Sequence, residues 1–212
     1  MSKTSVRAAA ALFAALAVTC VQHAVAQSGS AAAIEQARID SIRRPYTRAD
    51  IEFMSGMISH HAQAVEMARW APSHGASNSV QIYCGRVAMA QTAEIGLMQS
   101  WLRDRNQPVP AADPNGMKMV MNGSEQMVMM PGMLTGEQMK LLDAARGPEW
   151  DRLFLTFMIQ HHQGAISMVQ KLFETPGAAQ DEFVFKFAND VQADQTTEID
   201  RMKLMLQAMA DD

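Results

Sequence analysis

Two segments of the chain repeat each other and decide its fold: Asp50-Ile-Glu-Phe-Met-Ser-Gly-Met-Ile-Ser-His60-His61 and Asp151-Arg-Leu-Phe-Leu-Thr-Phe-Met-Ile-Gln-His161-His162. The second copy follows the first at an offset of 101 residues, from Asp50 to Asp151. A second match has an offset of 104 and joins Gln91-Thr-Ala-Glu94-Ile95-Gly-Leu-Met98 to Gln195-Thr-Thr-Glu198-Ile199-Asp-Arg-Met202. The two motifs occur in the same order in each half, so the chain contains an internal repeat.

Each repeat is predicted to be a helical hairpin, because its apolar residues recur at helical spacing and no alternating strand pattern appears. Capping and breaking residues set the helix limits. Long helices are predicted at 47–70, 78–105, 148–175 and 179–209, with a short helix at 135–146. Two hairpins make an all-α four-helix bundle at 47–210, with repeat halves 47–105 and 148–210 and a long methionine-rich crossover at 106–147.

The first 26 residues are predicted to be a secretory signal peptide. Lys3 and Arg7 precede a short apolar run, and Ala24-Val25-Ala26 has the pattern of a cleavage site. Cleavage would leave an N-terminal arm or short helix at 27–46, no membrane anchor and a secreted or periplasmic protein. Cys84 would then be its single cysteine, which excludes an internal disulfide framework.

The charge of the chain argues against a nucleic-acid partner, and its methionine content raises the question of soft-metal binding. The chain has 22 acidic and 18 basic residues, and loss of Lys3 and Arg7 leaves 16 basic residues and a net charge of −6. An acidic chain lacks the basic face that a nucleic-acid partner requires. The 19 methionines far outnumber the 8 Phe, 3 Trp and 2 Tyr. Thioethers can fill a core or bind soft metals, and both roles remain open.

The second helix of each hairpin carries polar residues on an otherwise apolar face. Helical spacing places Gln91 and Glu94 among core positions, and Gln195 and Glu198 repeat them. Buried polar groups need partners, and the His pairs are the available ones. Because adjacent helical residues point about 100° apart, we expect one His of each pair to turn inward and the other to reach a neighbouring helix.

These motifs resemble the bacterial domain of unknown function (DUF) 305 family. The matching residues run Phe53…Met57-Ile58-Ser59-His60-His61…Met67 and Phe154…Met158-Ile159-Gln160-His161-His162…Met168, with Met130-Pro-Gly-Met133 leading into the second copy. The resemblance covers about residues 45–206. It implies a ferritin-like four-helix bundle, and some members of the family are exported copper-binding proteins linked to copper tolerance.

A copper site is the sharper functional prediction, because copper(I) favours imidazole and thioether ligands. Methionine precedes each His pair by three and four residues, which lets all three side chains reach one region beside the helix. The predicted metal ligands in the bundle are His60, His61, His161, His162, Met57, Met158, Glu94 and Glu198. The glutamates could instead orient the imidazoles by accepting a hydrogen bond from the ring nitrogen that does not bind the metal. In the crossover, Met117, Met119 and Met121 are predicted to bind copper(I) or to pack over the bundle as cover.

Two other functions compete with copper buffering. One is a structural or partner-binding bundle in which the histidines form a hydrogen-bonded polar network without metal. The other is a di-iron or di-manganese oxidase. That reading requires Glu-x-x-His spacing, which is absent here, so we expect no turnover. Metal ions, a second copy of the chain and a copper-delivery protein are the expected partners. Asp50 and Asp151 are expected to cap helices, and His74 to lie in an exposed loop.

Overall fold

The computed structural model describes Arg38, residues 45–121 and residues 123–211. The predicted signal peptide and all but three residues of the predicted N-terminal arm lie outside this part of the chain. Five helices occur in it: α1 Arg48–Arg69, α2 Asn78–Asp104, α3 Gly136–Ala144, α4 Gly147–Glu174 and α5 Glu182–Asp211. None of the helices described is long and apolar enough to cross a membrane. The prediction of an all-α bundle is confirmed, with helix limits within a few residues of those expected.

Local capping explains where several helices begin. Thr47 and Asp50 form a capping box at the start of α1, and Thr135 and Gln138 form another at the start of α3. Helix α5 begins later than predicted, because the Asp181 carboxylate accepts hydrogen bonds from the backbone N–H groups of Phe183 and Val184. The first helical turn therefore follows Asp181.

The repeated aspartates also join the two halves of the bundle. Asp50 is fully buried and accepts a 2.7 Å hydrogen bond from the Ala179 N–H, in the loop between α4 and α5. Asp151 accepts hydrogen bonds at 3.1 and 3.3 Å from the Ser77 N–H, in the loop between α1 and α2. The capping prediction is confirmed for Asp50, whereas Asp151 binds the start of α2 and not its own helix. Each aspartate thus links its half to the hairpin loop of the other half.

The helices pack as two hairpins, α1 with α2 and α4 with α5, and α1 lies against α4. Two clusters of buried apolar residues fill the interior. The first cluster contains Phe53 and Met57 of α1 together with Ala165 of α4, and the second contains Ala64 and Met67 of α1 together with Met158 of α4. Early residues of α1 therefore contact late residues of α4, and late residues of α1 contact early residues of α4, so the two helices are antiparallel. All four histidines of the repeated motif lie between the two clusters in sequence.

The crossover contains a β-hairpin that the sequence pattern did not predict. Strands β1 Met117–Met121 and β2 Ser124–Val128 pair in antiparallel fashion, with Met117 opposite Val128 and Met119 opposite Gln126. The expectation of no strand was therefore wrong. Asn122-Gly123 is a strong turn signal for a two-residue hairpin, and Gly123 has a φ of +79°. Methionine is apolar but carries no marked strand preference, which obscured the alternation on either side.

Residues 130–134, here called the strap, follow the hairpin and cross α1 and α4. The Gln63 side chain of α1 binds both the N–H and the carbonyl of Leu134, at 2.7 and 3.1 Å. Gln160 of α4 donates to the Gly132 carbonyl at 3.3 Å. The strap lies so close to Gly164 that a Cβ atom there would be 2.0 Å from the Pro131 carbonyl oxygen. Because Gly164 has no Cβ atom, the backbone of the strap can pack directly against the surface of α4.

Candidate metal centre

The inner histidine of each pair lies where α1 and α4 meet. The rings of His60 and His161 have centroids 3.7 Å apart with an angle of 38° between their planes. Both side chains are fully buried. Because α1 and α4 are antiparallel and carry the same motif, equivalent residues meet in the middle of the bundle. The two imidazoles therefore lie close to an approximate two-fold axis relating the two halves.

The outer histidine of each pair binds the neighbouring helix of its own hairpin. His61 Nε2 lies 2.7 Å from Glu94 Oε2 of α2, and His162 Nε2 lies 2.6 Å from Glu198 Oε2 of α5. The expectation that one His turns inward while the other reaches a neighbouring helix is confirmed. Each glutamate uses one carboxylate oxygen to orient a fully buried imidazole.

Several imidazole nitrogens have no hydrogen-bond partner within the described part of the chain. His60 Nε2 is paired with the Pro131 carbonyl oxygen of the strap at 3.0 Å. Neither ring nitrogen of His161 makes a hydrogen bond of good geometry, although the His60 backbone interacts with this ring closely enough to raise its pKa. Nδ1 is also unpartnered in the other three histidines. A buried polar atom left without a partner costs roughly 1–3 kcal/mol. His161 is thus the least satisfied polar side chain of the histidine layer, here defined as His60, His61, His161 and His162.

Burial controls the charge of the inner pair. Desolvation, followed by the charge of neighbouring histidines, holds the pKa of His60 and of His161 well below the usual value for histidine. Both rings are therefore neutral at pH 7, and the nitrogen that carries no proton keeps its lone pair. A neutral imidazole nitrogen is the form of histidine that binds metals.

A small acidic cleft lies on the outside of the histidine layer, between α2 and α5. Its volume is about 170 Å³, and its polar lining consists of Gln91, Glu94, Asp194, Gln195, Thr197 and Glu198. Burial, followed by the charges of Glu94 and Glu198, raises the pKa of Asp194. The Oε1 atoms of both glutamines are buried and lack a hydrogen-bond partner. Neither Lys nor Arg lines this cleft.

The predicted methionine ligands fall into two groups. Met57 and Met158 are fully buried and belong to the two apolar clusters that flank the histidine layer. Met117, Met119 and Met121 lie on β1 of the crossover hairpin, which contacts α1. Met117 and Met119 are half-buried, whereas Lys118 and Val120 between them are exposed. The crossover methionines therefore occupy a β-strand, which the sequence analysis did not predict.

Among the described residues, no three His, Cys, Asp or Glu side chains lie close enough together to hold one metal ion. The structure brings the six polar ligands predicted in the bundle into one layer, as two His–Glu pairs and one His–His contact, and it places Met57 and Met158 in the apolar clusters on either side. A centre with three or more ligands would have to include thioether, backbone or amide groups, or require side chains to move.

Two features of this region were not predicted from sequence. The Pro131 carbonyl contacts His60, although Met130-Pro-Gly-Met133 had been noted only as part of a motif. His74 was expected to be exposed, which is wrong. Its ring is buried between Trp70 and Trp150, and its Nε2 lies 3.0 Å from Asp143 Oδ1 at the end of α3. The contact partner is 69 residues away, so local sequence gave no sign of it.

The comparisons agree with this architecture. Residues 50–206 match the sequence profile of the family described as domain of unknown function DUF305, and the chain belongs to that family. No curated protein matches the chain. Among solved structures, a DUF305 protein from Streptomyces coelicolor, assigned as secreted, is 28% identical with a TM-score of 0.63, over 76% of this chain and 94% of that one.

Structures of the protein CopM are also similar to this chain. CopM in its Cu(II)-bound form is 27% identical with a TM-score of 0.57, over 75% of this chain and 96% of CopM. CopM in its Cu(I)-bound form is 25% identical with a TM-score of 0.56, over 77% of this chain and 98% of CopM. The fold of this chain is thus one that occurs in a copper-bound protein.

Proposed function

We propose that this protein is exported and binds copper, with the histidine layer as its principal site and with binding rather than turnover as its function. The observation that carries the proposal is the inner pair. Two neutral, fully buried imidazoles meet at 3.7 Å between ring centroids, and His161 has no hydrogen-bond partner on either nitrogen. An ion that accepts nitrogen lone pairs would compensate the cost of burying them. The similarity to copper-bound CopM supports copper as that ion.

The donor set fits copper(I) better than a hard cation. His60 and His161 supply nitrogen donors from opposite halves, and Met57 and Met158 supply thioethers from the adjoining apolar clusters. In this proposal Glu94 and Glu198 hold His61 and His162 in orientation, as carboxylates commonly do behind metal-binding imidazoles.

The crossover strand is proposed as a second, weaker class of site. Met117 and Met119 are half-buried residues at alternate positions of β1, and Met121 ends the strand. Thioethers from one short strand can bind copper(I) without carboxylate or imidazole ligands. Such a site would stay accessible to a copper-delivery partner.

A bundle without metal is the second candidate function, and one observation favours it. The 2.7 and 2.6 Å contacts with glutamate give the Nε2 atoms of His61 and His162 a hydrogen-bond partner within the protein itself. In that reading the layer fixes the register of the helices, and copper(I) would not bind tightly to the folded protein.

An anaerobic copper(I) competition titration distinguishes the two functions. We expect the protein lacking its first 26 residues to bind copper(I) tightly, and His161→Leu to weaken the bundle site at least tenfold. Because the His161 nitrogens make no hydrogen bond, Leu should preserve folding, which circular dichroism would check.

The crossover site has its own variant and control. Replacing Met117, Met119 and Met121 by Leu should remove only weaker binding, and Leu at the exposed Met127 and Met129 should change little. Wild-type affinity in a folded His161→Leu protein would contradict the bundle site. Absence of tight copper(I) binding in the unaltered protein would favour the bundle without metal.

A further inference from the structure

Methionine side chains of the strap and of α4 meet at a glycine of α1. A Cβ atom built on Gly56 would lie 2.7 Å from the Met130 sulfur and 3.5 Å from the terminal methyl of Met168. A third thioether lies near them, because the Met133 sulfur accepts a hydrogen bond from the Met130 backbone N–H at 3.2 Å. Two thioethers of the strap and one of α4 therefore converge beside Gly56.

The internal repeat shows that packing does not require this arrangement. Gly56 corresponds to Phe157 at the offset of 101 residues, and the half-buried Phe157 ring packs against the apolar core. One rigid side chain thus fills the equivalent position of α4. On α1 the chain has instead a glycine, which is unfavourable inside a helix, and flexible methionines that lose rotamer freedom when they are ordered. The thioethers themselves are therefore the feature that Gly56 accommodates.

Burial places this group at the boundary between the core and solvent. Met168 is 9% exposed and Met133 is 5% exposed, whereas Met130 is half-buried. A cation can thus reach the Met130 sulfur from solvent while the helices stay folded. Thioethers are uncharged, soft donors, so they suit copper(I) and other soft monovalent cations better than hard cations, which prefer carboxylate and water ligands.

We propose that the strap thioethers, defined as Met130, Met133 and Met168, bind a soft monovalent cation. Met130 and Met168 supply the principal ligands, and the Met133 sulfur uses one lone pair for the Met130 N–H and keeps the other for the ion. The strap is fixed on either side of the site by its contact with Gly164 and by the hydrogen bonds of Gln63, so its sulfurs are held in place before an ion arrives. None of the three ligands belongs to the histidine layer or to β1.

Methyl NMR of protein labelled with ¹³C at the methionine methyl groups tests the site, with AgNO₃ in chloride-free buffer as the probe. Silver(I) is soft, monovalent and stable in air, so no reductant is needed. We expect Ag⁺ to shift the methyl signals of Met130, Met133 and Met168, in the unaltered protein and in His161→Leu alike. Met130→Leu and Met168→Leu should each weaken this binding at least tenfold. Because Leu and Met have similar volumes, both variants should remain folded.

Two matched controls are available. Met129→Leu removes the thioether of the adjacent residue, whose side chain is 43% exposed, and should change Ag⁺ affinity by less than twofold. Gly56→Ala should displace the Met130 sulfur and weaken Ag⁺ binding, although the protein stays folded. Gly96→Ala should leave Ag⁺ binding unchanged, because nothing lies within 4 Å of the new Cβ.

Unchanged methyl signals of Met130 and Met168 in excess Ag⁺ would overturn the proposal. Equal losses of affinity in Met129→Leu and Met130→Leu would also overturn it. Failure of the copper proposal gives a different result, because the methyl signals of Met57 and Met158 would then stay unchanged while those of the strap thioethers still move.

Discussion

The contact between the strap and α4 predicts a graded effect of adding one methyl group at three helical glycines. At Gly164, a new Cβ would lie 2.0 Å from the Pro131 carbonyl oxygen and 2.5 Å from the Gly132 Cα. These are backbone atoms, so the strap must move by roughly 1 Å or more to restore ordinary van der Waals distances. At Gly56, the nearest atom is the Met130 sulfur at 2.7 Å, the end of a flexible side chain. At Gly96, nothing lies within 4 Å.

Magnitudes separate the three variants. Alanine gains about 1 kcal/mol over glycine in a helix, and Gly96→Ala should keep most of that gain. In Gly164→Ala, overpacking costs roughly 1–3 kcal/mol. Loss of the strap hydrogen bonds to His60 and Gln160 adds about 1 kcal/mol each. The net loss is about 2–4 kcal/mol, a fall in Tm of about 4–16 °C for a chain of this size. Gly56→Ala should lie near the unaltered protein.

Thermal and urea unfolding, monitored by circular dichroism, would rank the proteins by stability. Gly96→Ala should be the most stable, the unaltered protein and Gly56→Ala should be similar to each other, and Gly164→Ala should be the least stable. Hydrogen exchange at the Leu134 N–H supplies a local readout, because this amide of the strap donates a hydrogen bond to Gln63 Oε1 of α1. Gly164→Ala should exchange faster at this amide. If it proves as stable as Gly96→Ala, the strap does not press on α4 as the structure indicates and the reasoning fails.

Two further predictions concern buried charge. The depressed pKa values of His60 and His161 mean that the unfolded chain binds protons below about pH 6.5 while the folded chain does not. Stability should therefore fall as pH decreases from 6.5, by up to about 1.4 kcal/mol per pH unit for each group. Urea unfolding at pH 7 and at pH 5.5 checks this prediction. The unaltered protein should lose more free energy of unfolding between these pH values than His161→Leu does, and an equal loss would contradict the prediction. Asp181→Asn should cost about 3 kcal/mol, because it removes the carboxylate charge that pairs with the buried Arg105 guanidinium at 2.5 Å. The exposed Asp190→Asn should cost less than about 0.5 kcal/mol by the same assay, and equal losses would contradict the role of burial.

The parts of the fold that could be predicted depend on short-range patterns. Helical periodicity, the Thr47 and Thr135 caps and the repeated motif lie within a few residues of one another, so sequence alone identifies them. The crossover hairpin was missed although Asn122-Gly123 marks its turn, because methionine-rich flanks carry weak strand preference. Burial of His74 depends on Asp143, 69 residues away, and leaves no local trace.

Some contacts of the candidate site could also be predicted from sequence, and others could not. The repeat and the polar residues on apolar faces predicted that the His pairs meet Glu94 and Glu198. Only the structure shows that His61 and His162 make these contacts, each within its own hairpin. The strap's contact with His60 could not be predicted, since a backbone carbonyl has no signature in sequence. The glutamine oxygens of the α2/α5 cleft were known as buried polar groups, but their lack of partners is visible only in three dimensions.

The order of residues along the chain is enough to identify two repeated hairpins, their capping residues and a set of imidazole, thioether and carboxylate groups on their inner faces. The contact between the rings of His60 and His161, and the close approach of the strap to Gly164, become visible once the helices are packed together. The physical reason is the range of the interactions. Caps and periodicity act within one or two helical turns, whereas the register of α1 against α4 is set by packing between residues about a hundred positions apart.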